Sequence, residues 1–459
     1  MVPPMVRLLV ILALAACAGP LTVHRLPPRR PNIIFIMADD LGYGDLGCYG
    51  QERLQTPHID ALAASGVRFT SCYAGSTVCA PSRCVLMTGL HTGHCTVRGN
   101  ALVPLKREDV TVAEVLRSAG YVTGMFGKWG LGEPGSDGVP TRQGFDEWFG
   151  YLNQRNAHNY YPEYLWRGEE KVALGNVAEK GVASKKVDYS HDLFTREAQS
   201  FIKRHQDEPF FLYLPYTIPH ANNEAGNRLG DGMEVPDYGD FAEQDWPQQQ
   251  KGMAAMIARL DSDVGAIRAT LKELNLEENT LVIFTSDNGP HNEGGSKAAF
   301  FDSNGPLRGI KRSLHDGGIR VPGIACWPGT IAPGRTSDLP WGFVDVLPTL
   351  ADLAGAVAPD NLDGVSVLPT LLGREQVLDR FLYWEFHERG FDQAVRWGRW
   401  KGVRKGGPDA ALLLFDLDKD IQEKKDVAAM HPLVVDALET YLQGARSESK
   451  DFPVRTRRR

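Results

Sequence analysis

A thiol and an arginine four residues apart mark the most reactive segment of this 459-residue chain, Cys79-Ala80-Pro81-Ser82-Arg83, which leads into Leu86-Met87-Thr88-Gly89. A thiol held beside a fixed cation is a candidate nucleophile. If the segment opens a helix, the free N–H groups of the first turn also attract an anion. The segment therefore predicts attack on an anionic substrate, although most lone cysteines are simply small buried hydrophobic residues.

Two predicted strands end in acidic or amide pairs, Asp39-Asp40 and Asp287-Asn288. Open parallel sheets place functional residues at the carboxyl ends of their strands, so we expect these four oxygen donors to converge. Such oxygen ligands select a hard cation, and calcium tolerates irregular cages better than magnesium. Either pair alone would fit an Asx turn or a polar strand end. Together with Cys79 they predict a calcium site.

The motif Cys-x-Pro-Ser-Arg followed by Thr-Gly resembles the signature of the type I sulfatases, arylsulfatase A-like enzymes of the alkaline phosphatase superfamily. In that family a maturation enzyme oxidises the motif cysteine to formylglycine. The resemblance implies that Cys79 becomes this aldehyde and that its hydrate is the nucleophile. It also implies a calcium ion, with magnesium less favoured, held by Asp39, Asp40, Asp287, Asn288 and the oxidised side chain of Cys79.

A sulfate ester needs cations around its nonbridging oxygens and around the leaving oxygen, where charge develops during cleavage. The chain has basic residues at positions that match the family: Arg83, Lys128, His220 and Lys311. Lys311 precedes His315–Pro322, a stretch similar to the family's Glu-Gly-Gly-x-Arg-x-Pro. The resemblance implies that His220 and Lys311 assist the departing alcohol. A lone lysine is normally a solvated charge, so these roles depend on the motif context.

Gly127-Lys128-Trp129-Gly130-Leu131-Gly132 departs from the Gly-Lys-Trp-His-Leu-Gly of many family members. Gly130 stands where a histidine usually lies near the formylglycine, which leaves open the base that removes the second proton of the hydrate. Our candidate is His158, ahead of His94 and His291. The alternative is that Gly130 simply widens the pocket.

Continuous apolar runs, typical of strands covered on both faces, alternate with helical segments along the chain. The predicted strands are Ile33–Met37, Tyr121–Phe126, Phe210–Leu214 and Leu281–Thr285. The predicted helices are Ile59–Ser65, Thr111–Ala119, Ser190–His205, Pro247–Leu274 and Val344–Ala354. This alternation predicts an α/β fold. The resemblance implies an alkaline-phosphatase-like large mixed, mostly parallel sheet sandwiched by helices.

Short aromatic strands begin near Asp379 and predict a small C-terminal α+β subdomain with an antiparallel sheet. The predicted elements are the strands Phe381–Phe386, Ala394–Val403 and Leu412–Leu417 and a helix at His431–Tyr441. We therefore divide the mature chain into a catalytic domain at 32–375, this subdomain at 376–446 and a basic tail at 447–459. The tail has no predicted function.

The N-terminal residues favour export. Arg7 precedes an apolar run, Leu8–Ala18, which is too short to span a bilayer but suits a signal peptide. Leu14-Ala15-Ala16-Cys17 resembles a bacterial lipobox, so we expect a signal peptide at 1–17, a linker at 18–31 and a periplasmic or cell-surface protein anchored through acylated Cys17. Ordinary cleavage after a small residue is the alternative.

The formal net charge of −7 gives no basic surface for nucleic acid. We predict hydrolysis of sulfate monoesters. The aromatic segments Tyr160–Trp166 and Val395–Trp400 either stack on a sugar ring, which favours a sulfated carbohydrate, or pack between subdomains. The rival functions are a phosphomonoester or phosphonate hydrolase of the same superfamily and a catalytically silent lipoprotein that binds sulfated glycans. The intact Cys79–Arg83 signature argues against the silent protein.

Overall fold

The computed structural model describes residues 30–388 and 390–454. The predicted signal peptide with Cys17, most of the 18–31 linker and the arginines at 455 and 457–459 lie outside the described residues. Among the residues described, none of the helices combines the length and the apolar composition needed to cross a bilayer.

The central feature is a large mixed sheet, accompanied by a four-stranded sheet and a two-stranded ribbon. In chain order the strands are β1 (Asn32–Ala38), β2 (Val67–Tyr73), β3 (Val122–Lys128), β4 (Glu147–Tyr151), β5 (Tyr164–Arg167), β6 (Glu170–Ala173), β7 (Val177–Glu179), β8 (Val182–Lys185), β9 (Phe210–Pro215), β10 (Thr280–Ser286), β11 (Arg320–Cys326), β12 (Arg335–Ser337), β13 (Trp341–Gly342), β14 (Phe381–Phe386), β15 (Asp392–Trp397), β16 (Trp400–Arg404) and β17 (Leu413–Asp416).

The large sheet has the strand order β12-β2-β11-β10-β1-β9-β3-β4-β5-β6, and β13 pairs with β2. Its central block, β10-β1-β9-β3-β4, is parallel throughout. In β1 the side chains of Ile33 and Phe35 enter one core cluster, while those of Ile34 and Ile36 enter the other. A strand buried on both faces explains the continuous apolar run. The mostly parallel sheet confirms the predicted fold class.

Helices cover both faces of this sheet. They are α1 (Pro57–Ala64), α2 (Cys79–Thr88), α3 (Val112–Ser118), α4 (Ser190–Arg204), α5 (Asn223–Leu229), α6 (Gln248–Glu273), α7 (Ala298–Phe301), α8 (Asp316–Ile319), α9 (Val346–Ala354), α10 (Leu368–Leu371) and α11 (Pro432–Gly444). One layer contains α1, α4 and α6, and the other contains α2, α3 and α9. The long apolar stripe predicted for α6 therefore packs against the sheet.

The parallel pairing brings the functional segments to one edge of the sheet. The register of β1 and β10 aligns Ala38 with Ser286, so the two acidic or amide pairs leave the sheet side by side. Lys128 is the last residue of β3, and the segment that carries His220 follows β9. All four strands are neighbours in the parallel block, and their carboxyl ends therefore meet at the same place.

The C-terminal sheet has the order β14-β15-β16-β17 and is antiparallel throughout. The single strand expected at Ala394–Val403 is wrong, because a tight turn divides it into β15 and β16. Gly398 lies at that turn with a φ of 54°, a left-handed conformation that glycine adopts without strain. Helix α11 packs Leu438 and Leu442 against this sheet.

A buried charge network joins the two sheets. The Lys401 ammonium on β16 donates to Asp316 Oδ1 at 2.5 Å and lies 3.2 Å from Glu423 Oε1. Glu423 in turn accepts from the backbone N–H of Asp316 at 2.7 Å. Both acids and the lysine are fully buried, so each charge depends on its partners for compensation. The network holds the His315–Pro322 stretch, and hence the segment just after Lys311, against the C-terminal sheet.

Candidate active site

Cys79 is the first residue of α2 and is almost fully buried. Its Sγ lies 3.3 Å from Asp39 Oδ1, at the edge of the sheet where β1 ends. One N–H of the first helical turn, that of Ala80, donates to Asn100 Oδ1 at 3.2 Å. Burial, and next the Asp39 carboxylate, raise the pKa of the thiol well above its usual value. As an ordinary cysteine this side chain would therefore stay protonated and weakly nucleophilic.

Arg83 lies one helical turn after Cys79 and is fully buried. Its Nη2 donates to Asp287 Oδ2 at 2.7 Å, and its Nη1 donates to the carbonyl of Lys128 at 2.6 Å. Nη2 also lies 3.4 Å from Asp39 Oδ2. The guanidinium therefore fixes the carboxylates behind Cys79 and connects α2 with the ends of β1, β3 and β10.

Two lysines neutralise the first acidic pair. Lys128 Nζ donates to Asp39 Oδ2 at 2.6 Å, and Lys311 Nζ donates to Asp40 Oδ2 at 2.8 Å. Burial raises the pKa of each carboxyl, but the surrounding basic groups together outweigh this effect, with Lys128 foremost for Asp39 and Lys311 foremost for Asp40. They hold the pKa of both carboxyls below the usual range. Burial and then Asp39 raise the pKa of Asp287 to about 7.

His220 contacts both the acidic pair and Lys311. Its Nδ1 lies 2.7 Å from the carbonyl of Ala221, which can only accept, so Nδ1 carries the proton. Its Nε2 then accepts from Lys311 Nζ at 3.1 Å and lies 3.5 Å from Asp40 Oδ2. Burial and the Lys311 charge lower the pKa of His220 to about 3. In this arrangement the imidazole is neutral.

The acidic cluster fits a hard cation. Ligand atoms of Asp39, Asp40, Cys79 and His220 all lie within 4.8 Å of one another. Asn288 donates through Nδ2 to Asp40 Oδ1 at 2.6 Å, while its buried Oδ1 has no hydrogen-bond partner among the described residues. A buried amide oxygen without a partner is unfavourable unless a ligand satisfies it. Its position beside two carboxylates therefore suits an oxygen-seeking metal ion.

The loops around this cluster approach each other closely. A Cβ atom on Gly289, just after Asn288, would lie 1.9 Å from the carbonyl oxygen of Gly317. Only glycine permits this contact. This contact places Asp287 and Asn288 against the His315–Pro322 stretch.

A cavity of about 210 Å³ opens over Cys79. Its lining includes Cys79, Lys128, Arg155, His158, His220 and Lys311. All the predicted catalytic residues except Arg83 thus line one space, and Arg83 lies behind them. The structure also brings together the predicted ligands Asp39, Asp40, Asp287 and Asn288 beneath that space.

Gly130 has a φ of 79°, the left-handed region in which a histidine would be strained. A Cβ atom there would lie 3.6 Å from Gln154 Cγ, so the glutamine side chain occupies the space beside this glycine. Gln154 also lines the cavity. The local backbone therefore accounts for the glycine.

The three histidines considered as the missing base have different surroundings. His158 stacks on His220 with ring centroids 4.9 Å apart, and its Nδ1 lies 3.0 Å from Glu224 Oε2. His291 uses both ring nitrogens in backbone hydrogen bonds, to Glu293 N and to the Pro219 carbonyl. His94 bonds to Asp363 and is not part of the cavity lining.

Sequence reasoning missed several residues of this site. Glu293 Oε2 accepts from Lys311 Nζ at 3.0 Å, and its other oxygen is bonded to Arg312. Arg312 also lines the cavity. The only signal for it in the sequence was its position directly after Lys311. Glu224 lies in a helix that showed no motif. These acids were invisible because a single glutamate in a loop or short helix has many structural explanations.

The two aromatic segments have different roles. Tyr160 and Tyr161 are buried and pack against Tyr189, whereas Tyr164 lines a second cavity. In the other segment, Trp397 packs against Phe381. Arg396 of the same segment donates to the Tyr73 hydroxyl on β2. The second segment therefore packs between the C-terminal sheet and the large sheet, which is the packing alternative.

The sulfatase family model matches residues 31–356, and the model of the N-sulphoglucosamine sulphohydrolase C-terminal region matches residues 309–447. Human arylsulfatase A is 38% identical over 372 residues, which cover 75% of this chain and 68% of that protein. The N-acetylgalactosamine-6-O-sulfatase of Bacteroides thetaiotaomicron is 32% identical, and the match covers 91% of this chain and 94% of that protein.

Among solved structures, that of Ps i-CgsB in complex with k-i-k-neocarrahexaose superposes with a TM-score of 0.80. The two chains are 29% identical, and the match covers 94% of this chain and 96% of the other. Sequence matches, fold and the cluster around Cys79 agree with one another. The chain therefore belongs to the type I sulfatases of the alkaline phosphatase superfamily, a family of sulfuric ester hydrolases.

Proposed function

We propose that this protein hydrolyses sulfate monoesters of carbohydrates, using formylglycine made from Cys79 and one bound calcium ion. The observation that carries the proposal is the position of Cys79 at the N-terminus of α2, between the acidic cluster and the lining cations Lys128 and Lys311. A monoanionic group above Cys79 would face positive charge on several sides.

Each part of the site has a separate task in this proposal. Asp39, Asp40, Asp287 and Asn288 hold the calcium ion, which supplies positive charge beside the nucleophile. The Sγ of Cys79 lies where an oxygen atom of the hydrated aldehyde would be. Lys128 binds a nonbridging sulfate oxygen, and Lys311 stabilises the leaving oxygen. His220 accepts from the Lys311 ammonium and so holds it in place. Arg83 acts from behind, because it keeps Asp287 and Asp39 in place.

The carbohydrate part of the proposal comes from the relatives and from the cavity. One relative is named for N-acetylgalactosamine 6-O-sulfate, and one structural neighbour was crystallised with a neocarrahexaose. The cavity lining is mainly polar, with Asn100, Gln154 and Asn223 beside the charged groups. Such side chains suit the hydroxyl groups of a sugar.

Sulfatase activity can be separated from the phosphatase and phosphonate hydrolase alternatives by direct comparison. The protein should be matured in its native host and assayed with 4-nitrophenyl sulfate, 4-nitrophenyl phosphate and 4-nitrophenyl phenylphosphonate. We expect the highest kcat/KM with the sulfate, because Lys128 and Lys311 are already bonded to Asp39 and Asp40 and leave little positive charge for a second negative charge on the substrate. A higher kcat/KM with either phosphorus ester would contradict the proposal, and binding of sulfated sugars without turnover would favour the silent protein.

We also propose His158 as the base that replaces the histidine absent at Gly130. The Glu224 carboxylate accepts from Nδ1–H of His158, and none of the described hydrogen bonds involves Nε2. His158 lines the cavity together with Cys79. It is thus the one histidine of the three candidates with both access and a free nitrogen among the described contacts.

His158→Ala is expected to lower kcat by about 100-fold and to change KM much less, because proton transfer typically contributes 10²- to 10⁴-fold. Steady-state kinetics with 4-nitrophenyl sulfate measures both parameters. His94→Ala is the matched control, since that histidine bonds to Asp363 away from the cavity. An unchanged kcat in His158→Ala would rule out this role.

Export remains part of the proposal, with a lipid anchor on Cys17 and a periplasmic or cell-surface location. The division at 32–375 and 376–446 likewise stays a prediction. Metabolic labelling with a radioactive fatty acid tests the anchor, and label retained by Cys17→Ser would contradict it.

A further inference from the structure

A second cavity, of about 390 Å³, lies next to the catalytic cavity. Arg155 lines both spaces. The hydrogen-bonded pair of His158 and Glu224 separates them, because His158 lines the catalytic cavity and Glu224 lines the second. The two cavities are therefore neighbours, with this pair between them. The volume is within the range of small-molecule sites, about 300–1,000 Å³.

The lining of the second cavity includes an aromatic ring that its neighbours hold in place. Tyr164 on β5 has the Lys171 ammonium 4.0 Å from its ring centroid and meets Trp166 edge to face at 5.9 Å. These contacts restrict the ring, and Tyr164 is part of the cavity lining. A fixed aromatic face is suited to the apolar side of a sugar ring.

The cavity also has an unused hydrogen-bond donor. Asn159 is 6% exposed, and its Oδ1 accepts from the backbone N–H of Tyr161 at 3.0 Å. None of the described hydrogen bonds is donated by its amide nitrogen, which is not among the buried polar atoms without a partner and is therefore open to solvent. An accessible amide N–H in the cavity wall can donate to a ligand hydroxyl.

The charges of this lining balance. Arg155 and Lys180 are basic, whereas Glu163 and Glu224 are acidic. This contrasts with the catalytic cavity, whose cations suit an anion. A balanced set favours hydroxyl groups over a second sulfate or carboxylate.

Resting on the sulfatase function proposed above, we propose that the second cavity binds an uncharged sugar unit adjacent to the sulfated one, so that the substrate is a sulfated oligosaccharide. The sulfated unit occupies the catalytic cavity. Its neighbour lies past His158 and Glu224, stacks on Tyr164 and accepts a hydrogen bond from Asn159.

Kinetics on matched substrates of different length test this proposal. The panel contains κ-carrageenan and keratan sulfate oligosaccharides, in which sulfated and uncharged units alternate, and the corresponding sulfated monosaccharides. For at least one of these oligosaccharides we expect kcat/KM to exceed that of its own sulfated monosaccharide by about 10-fold or more. Equal values across the panel would overturn the proposal while leaving the sulfatase function intact. Absence of sulfate release from every compound, 4-nitrophenyl sulfate included, would overturn the proposed function itself.

Two variants locate the effect in the cavity. Tyr164→Ala should raise KM for the preferred oligosaccharide by about 3- to 10-fold, whereas Tyr164→Phe keeps the ring and should resemble the parent protein. Ala178→Phe fills the cavity from β7 and should raise the same KM. Both changes should leave the kinetics with 4-nitrophenyl sulfate unaltered. Ala61→Phe adds the same ring on the exposed face of α1 and is the control. Equal losses with both substrates would show a merely structural role and contradict the proposal.

Discussion

Cys79→Ala is expected to lower kcat for 4-nitrophenyl sulfate by at least about 1,000-fold, because it removes the atom from which the nucleophile is made. The loss should appear without unfolding, since alanine fits the first turn of α2 as well as cysteine does. Steady-state kinetics gives the rate, and the thermal unfolding midpoint reports the fold.

Cys84→Ala is the matched control for this change. Cys84 lies in the same helix and is also buried, but its side chain is not part of the catalytic cavity lining. It should retain its turnover. Mass spectrometry of the peptide that contains residue 79 adds a separate readout, because conversion of the thiol to an aldehyde makes the peptide lighter. An intact thiol in fully active protein from the native host would contradict the proposed nucleophile.

Asn288→Ala is expected to weaken calcium binding by at least about 10-fold, because the change removes the amide oxygen that lacks a protein partner. In the parent protein, calcium at 100 times its Kd should raise the free energy of unfolding by about 2.7 kcal/mol. Calorimetric titration of chelator-treated protein measures the affinity, and chemical denaturation with and without calcium measures the stability. Neither readout requires turnover.

The control is Asn32→Ala. Asn32 is a buried asparagine at the amino end of β1, and its Nδ2 donates to Thr280 Oγ1 on the neighbouring strand β10. This end of the strands is opposite to the end that carries the metal site. Loss of the Asn32 side chain should lower stability to a similar extent at every calcium concentration. Equal calcium affinity in Asn288→Ala and the parent protein would exclude Asn288 as a ligand, and tighter binding of magnesium than of calcium would contradict the choice of metal.

The parts of the site that lie at strand ends could be predicted well. Asp39 and Asp287 follow strands whose apolar runs are unmistakable, and parallel neighbours deliver their carboxyl ends to one edge. The continuous apolar runs therefore predicted the strands, and the rule for parallel sheets predicted where their ends meet. The same reasoning was less successful in the C-terminal sheet, because Trp397 and Trp400 closely flank the Gly398 turn and a lone glycine within a strand pattern is an ambiguous signal.

The loop residues of the site could not be predicted in the same way. Glu224 meets His158 across 66 positions of sequence, and Glu293 meets Lys311 across 18. Loops and short helices have no periodic pattern that fixes the direction of a side chain. Their contacts depend on how several connections pack together above the sheet.

The sequence by itself determined the family of this protein through the Cys79 signature, and it predicted the four candidate oxygen ligands and the basic residues around them. These features follow from residue type and from strand order, both of which are local or nearly so. Only the tertiary structure decided that Arg83 supports the site from behind, that Gln154 fills the space beside Gly130, and that a second cavity adjoins the first. Each of these three features depends on packing between segments that are far apart in the chain. For such segments, spacing in the sequence does not indicate distance in space.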